Sequence, residues 1–132
     1  MIHNVFADKE KVKSILNLAT EREKFVSSLK TEFATVIAEN YYEIAKELAI
    51  AILLLDGFKA IGENAHKETI DALSKSGFSQ DEIGLPQDLR IKRKKSSYEG
   101  KPIESIFIQN KKAKLTEIIQ KLKSVVKRKL NL

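Results

Sequence analysis

Eight consecutive apolar residues, Leu48 to Leu55, constrain this chain more than any other stretch. The run falls far short of the roughly 20 residues needed to cross a bilayer, so it reads as a core segment with no membrane role. It closes a longer stripe of Phe33, Val36, Ile37, Tyr41, Ile44, Ala45, Leu48, Ile52 and Leu55, which recurs at helical spacing. A helix that is apolar on every side at one end must be covered all round. The stripe therefore predicts a helix running to about Leu55 and lying in the middle of a bundle.

Other helices follow from caps and periodicity. Asp8 is a plausible N-cap for a first amphipathic helix near 8–29, with Val12, Ile15, Leu16 and Ala19 on one face. After Asp56-Gly57 and Gly62-Glu63-Asn64, Asn64 can cap a short helix that carries Ile70 and Leu73 and ends at Gly77. Ser79, with Glu82 three residues on, has the form of a capping box. Gly84 and Pro86 are expected to disturb that helix before Asp88 to Ser97 resumes, stopped by Gly100 and Pro102. Ser105 or Asn110 opens a final helix with Ile108, Leu115, Ile118, Leu122 and Val126 on its apolar stripe and lysines on its other face. Connections this short favour an all-α fold, an antiparallel bundle of four to five helices.

The chain has 132 residues, 42% of them hydrophobic and 32% charged, with only 5 Gly and 2 Pro. That size and balance suit one helical domain over 1–132. With no Cys, disulfide frameworks and thiolate chemistry are excluded, and the reducing cytoplasm is the natural compartment. The N-terminal segment lacks the long apolar core of a signal peptide.

Charge is distributed unevenly. Residues 1–89 hold 10 basic and 15 acidic side chains, whereas residues 90–132 hold 14 basic and 3 acidic. A block this cationic attracts polyanions, most simply nucleic acid. The competing reading is that its lysines solvate an outer face, or pair with the acidic half within the fold or across a dimer.

Phosphate-loop, dinucleotide and zinc-hydrolase motifs do not occur, and nothing calls for a cofactor. Glu39, Glu43 and Glu47 lie four apart on one helix face, but a di-iron centre also needs Glu-x-x-His pairs, and neither His3 nor His66 supplies one. These glutamates read as a solvated face, and no metal is expected. His3 lies at a free end of the chain. His66 reads as a residue of an exposed helix start with a structural contact.

The richest local feature is Leu89-Arg90-Ile91-Lys92-Arg93-Lys94-Lys95-Ser96-Ser97-Tyr98-Glu99-Gly100. On a helix, Arg90, Arg93 and Lys94 share a side, giving two forked guanidinium groups and one mobile ammonium for phosphate. Tyr98 adds a phenol that can stack on a base. Arg93 and Tyr98, five apart, sit about 140° apart around an ideal helix axis. They converge only where the helix ends or where two copies meet.

Tyr41-Tyr42-Glu43-Ile44-Ala45-Lys46-Glu47 running into the apolar block and on to Lys59, then His66, then Leu89–Gly100, resembles the HEPN superfamily of small helical proteins. The likeness is greatest to its archaeal stand-alone members, and the order of segments covers most of residues 31–128. The superfamily motif is an Arg followed, after four residues, by a His. Members that carry it resemble metal-independent ribonucleases, often toxins paired with a minimal nucleotidyltransferase. Here the Arg corresponds to Arg93 and the His position to Tyr98, while the usual Asn is Lys94. The motif histidine is missing.

Metal-free RNA cleavage needs a group that exchanges a proton near neutral pH, and Tyr, with a reference pKa of about 10, serves poorly. Phosphate binding survives this departure better than catalysis does. The resemblance therefore implies a cytoplasmic homodimer that binds RNA or a nucleotide phosphate through Arg90, Arg93, Lys94 and Tyr98. Two alternatives stand beside it. One is a metal-independent ribonuclease with a degenerate motif. The other is a module that docks a partner protein such as a nucleotidyltransferase.

Overall fold

A computed structural model describes residues 1–132. Five helices form an all-α bundle: α1 (Lys9–Ser27), α2 (Ala34–Leu55), α3 (Ala65–Asp71), α4 (Gln80–Glu99) and α5 (Ser105–Leu130). Two short strands, β1 (Ile2–Asn4) and β2 (Phe58–Ala60), add an antiparallel ribbon in which Ile2 faces Ala60 and Asn4 faces Phe58. Neither strand has a sequence signal, because three residues are too few to display an alternating pattern. The ribbon places His3 opposite Lys59, so the expected free end is a paired strand.

The apolar run of α2 sets the architecture. Leu48, Ala49, Ala51, Ile52, Leu53 and Leu54 are all buried, and α2 packs against α1, α3, α4, α5 and β2. Covering the run on every side is the arrangement that its composition demands. Thr35 near the start of α2 accepts a bond from the Ile103 amide just before α5, at 2.8 Å. At the other end, Lys129 of α5 donates to Asp56 just past α2, at 2.6 Å. These two ties make α2 and α5 run the same way, a parallel pair where an antiparallel arrangement is expected from the short connections. No helix is long and apolar enough to cross a membrane.

Local chemistry explains the helix ends. Asp8 caps α1, its side chain accepting from the Lys11 amide at 3.1 Å. Ser79 and Glu82 complete the capping box of α4 reciprocally, at 3.2 and 2.8 Å. Asn64 occupies the N-cap position of α3, but its side chain makes no capping bond. At the far end of α4 Gly100 adopts a φ of 67°, a left-handed conformation in which glycine carries no Cβ penalty.

The expected break at Gly84 and Pro86 does not occur, and α4 runs unbroken through both. Pro86 costs the Glu82 carbonyl its helical partner. Burial of Ile83, Leu85, Pro86 and Leu89 against the core, together with the capping box, outweighs that loss. Beyond Leu89 the balance changes, for no residue from Arg90 to Glu99 is buried. This outer half of α4, which carries the basic cluster, meets α2 through Arg93 and Ser96.

Candidate anion-binding site

The carboxylates of α2 form the floor beneath the basic half of α4. Glu43 lies 3.8 Å from the Arg93 guanidinium and 2.9 Å from Lys46. Glu39 accepts a 3.4 Å bond from the Ser96 hydroxyl. Glu47 lies 3.5 Å from Lys46. The expectation of a solvated glutamate face is therefore corrected: all three are half-buried, and Glu39 and Glu43 meet α4. A charged ridge standing off the apolar core needs counter-charges below it, and spacing of four places them there. No group of three or more His, Asp or Glu side chains is arranged to hold a metal ion.

Tyr42 is buried on the same stretch of α2 and joins the two sides of the site. The Arg93 guanidinium sits 5.9 Å from its ring centroid and the Lys46 ammonium 5.8 Å away. Its hydroxyl lies 3.5 Å from His66 Nδ1, a long contact that brings the start of α3 to the basic helix. Burial, followed by the nearby Glu43 charge, raises the Tyr42 pKa above the ordinary phenol value. The His66 pKa is lowered, first by desolvation and then by Lys46. Its imidazole is accordingly mostly neutral near pH 7.

All four sequence-selected residues come together. Arg90, Arg93, Lys94 and Tyr98 line one open cleft of about 310 Å³, with Tyr42, Glu63, Asn64, His66 and Lys67 on the other walls. Tyr98 follows Arg90 and Lys94 at spacings of four on one face of α4, and Arg93 joins them in the cleft. The arginines are only partly neutralised within the fold. Arg93 is 43% exposed despite its contact with Glu43, and Arg90 directs Nε to the Gln87 side-chain oxygen at 2.8 Å, leaving its terminal nitrogens without a carboxylate. Tyr98 is 81% exposed, a ring with almost no protein contact.

Part of the remaining positive block does pair with the acidic half. Lys121 bonds Glu82 at 2.8 Å, Lys123 bonds Glu23 at 2.9 Å, and Lys129 bonds Asp56. The pairing reading of the charge asymmetry thus holds for part of α5, which staples the bundle, whereas Arg90, Lys94 and Lys95 on α4 make no ion pair.

Sequence reasoning did not select Tyr42, Glu43 or Glu63, and it gave His66 no place beside the arginines. Tyr42 adjoins Tyr41 of the apolar stripe, where an aromatic residue signifies core. Glu63 and His66 lie on a connection whose course depends on how α3 docks on α2. The only local signal was the Gly62-Glu63-Asn64 turn, which marks a bend and does not give its direction. Compared with models of protein families, with curated proteins and with solved structures, the chain finds no match.

Proposed function

We propose that this chain is a HEPN-like helical protein that binds RNA or a nucleotide phosphate in the cleft between α3 and α4. The observation that supports this reading is the convergence of Arg90, Arg93 and Lys94 on one open cleft with an exposed aromatic ring at its edge. Two guanidinium forks and an ammonium hold phosphate oxygens, and Tyr98 stacks on an adjoining unpaired base. Pairs of copies form a dimer in this proposal, as the resemblance implies, and sedimentation at micromolar concentration tests that part separately. Binding is tested by fluorescence anisotropy with a short single-stranded oligoribonucleotide across a salt series. Affinity that falls steeply with salt, and is lost on reversing the charges of Arg90 and Arg93, supports the reading. A flat salt response defeats it. Unchanged RNA affinity with a broken protein complex transfers the surface to a protein partner such as a nucleotidyltransferase.

A second reading, metal-independent ribonuclease activity, is favoured by the position of His66 in this same cleft. The histidine absent from α4 has a counterpart on α3, neutral near pH 7 and opposite the phosphate-binding arginines. In that chemistry His66 takes the 2′-hydroxyl proton as O2′ bonds to phosphorus. The P–O5′ bond breaks, and the leaving oxygen is protonated by water. The products are a 2′,3′-cyclic phosphate and a 5′-hydroxyl. Single-turnover cleavage in the presence of a chelator, abolished by both His66→Ala and Arg93→Ala, separates this reading from binding alone.

A further inference from the structure

A second recess lies apart from the basic cleft, where the C-terminal end of α2 meets the ribbon and the helical turn Ala72–Ser76 that follows α3. It encloses about 150 Å³. Its interior is set by Ala49, Ile52 and Leu53, all buried on the apolar run of α2. Ile2 and Phe58 of the ribbon line it too, at 40% and 39% exposure, so it opens to solvent between apolar side chains. Protein interiors leave few voids larger than a water molecule, and here the small side chains of Ala49 and Ala72 border one. An apolar recess of this size offers water too few partners and takes a ring as large as benzene.

The polar groups of the lining decide the rest of the ligand. Thr69 is already committed, its hydroxyl donating to the Ala65 carbonyl at 2.7 Å. Asp56 accepts from Lys129 at 2.6 Å, so its charge is answered from α5. That leaves the Lys75 ammonium and the Ser76 hydroxyl, neighbours on the turn after α3, which make no ion pair and no side-chain hydrogen bond within the fold. An ammonium only donates, and a hydroxyl can donate beside it. A ligand whose body fills the apolar interior therefore meets two free donors and one unanswered positive charge on a single segment. A small amine would find no free carboxylate and would be repelled by Lys75. Mostly apolar linings with a few polar groups of this kind are the usual form of small-molecule sites, the polar groups fixing orientation.

We propose that this recess is a binding site for a small aromatic carboxylate, its ring enclosed by Ala49, Ile52 and Leu53 and its carboxylate held by Lys75 and Ser76. The site is separate from the phosphate-binding reading above and stands or falls without it. The test titrates benzoate, benzyl alcohol and benzylamine into the methyl-labelled full chain, followed by NMR. Benzoate should shift the methyl signals of Ile2, Ile52 and Leu53, leave those of Ile118 and Leu122 in place, and saturate with a Kd of about 0.1–1 mM, the range open to so small a ligand. Benzyl alcohol should bind about tenfold more weakly, and benzylamine more weakly still. Lys75→Ala should weaken benzoate about tenfold and change benzyl alcohol little, a split that a merely apolar patch would not produce. Ala72→Leu puts a larger side chain into the recess and should abolish binding of both, with the urea midpoint reporting that the chain is still folded. The surface change at Lys75 does not depend on the core tolerating that substitution. Benzylamine that binds as tightly as benzoate, or benzoate affinity unchanged in Lys75→Ala, overturns the carboxylate class. Shifts that never saturate, that extend equally to Ile118 and Leu122, or that persist in folded Ala72→Leu overturn the site itself.

Discussion

Replacing Arg93 with Ala separates a phosphate site from a merely basic surface. The guanidinium has Glu43 behind it at 3.8 Å and is 43% exposed, so it is anchored on one side and open on the other. A full charge about 4 Å from a phosphate, at an effective dielectric near 20, gives a gross attraction of about 4 kcal/mol. Glu43 opposes part of that, and water screens more. A charge-assisted bond contributes a net ~1.5–3 kcal/mol in general, and discounting for this exposure leaves about 1–2 kcal/mol, or roughly a 5- to 30-fold loss of affinity. The log–log salt slope on single-stranded RNA should become shallower by about 0.7, one phosphate contact. Arg93→Lys keeps the charge but loses the fork, and should recover only part of the affinity. Anisotropy titrations at four salt concentrations measure both quantities. Because a half-exposed ion pair contributes at most about 1 kcal/mol, thermal unfolding should change little. The reasoning is refuted if Arg93→Ala leaves the slope untouched. It is equally refuted if Lys111→Ala, an exposed cation on α5 outside the cleft, weakens binding as much.

Three further outcomes follow from other parts of the molecule. Leu48, fully buried at the centre of α2, should cost about 2–5 kcal/mol when cut to Ala, read from the urea midpoint. Ser79→Ala removes the hydroxyl that accepts from the Glu82 amide and should cost about 1 kcal/mol by the same measurement. His66 has a lowered pKa in the free protein, and a bound phosphodiester raises it, so binding takes up a proton. Affinity for an oligonucleotide should therefore begin to rise as pH falls through the pKa of the complex and level off below that of the free protein. His66→Ala should flatten this rise, and a wild-type affinity independent of pH between 8 and 5 would remove His66 from contact with the ligand.

The parts of this fold legible in the sequence were those set by local chemistry. The all-round apolar run placed α2 at the centre, and the Asp8 cap and the Ser79–Glu82 box located two helix starts. Pro86 misled because propensity is local whereas the burial of Ile83, Leu85 and Leu89 is tertiary. The site divided in the same way. Arg90, Arg93, Lys94 and Tyr98 belong to one helix, so their grouping could be read from spacing. Tyr42, Glu63 and His66 join them only because α3 turns back across α2. Glutamates at spacing of four look alike whether they face water or a neighbouring helix, and here α4 decides.

The partition of positive charge bears on how the cleft works. Lys121, Lys123 and Lys129 are committed to Glu82, Glu23 and Asp56, so the field of the C-terminal third is weaker than its sequence charge suggests. The part that faces the cleft is a small group of cations over half-buried carboxylates. Such a group attracts phosphate at short range and loses its pull within about one Debye length, ~8 Å at physiological salt. It suits recognition of one or two phosphates more than tracking along a duplex. The outer half of α4 touches α2 through Arg93 and Ser96 over Glu43 and Glu39 and buries no apolar side chain there. A segment so held opens at lower free energy than the core. A ligand that bridges Arg90, Arg93 and the α3 side of the cleft would therefore stabilise that half of the helix selectively. Amide hydrogen exchange from Arg90 to Glu99 should slow on binding while α2, already enclosed, stays unchanged. Equal slowing across both helices would mean that the ligand acts on global stability and not on this seam.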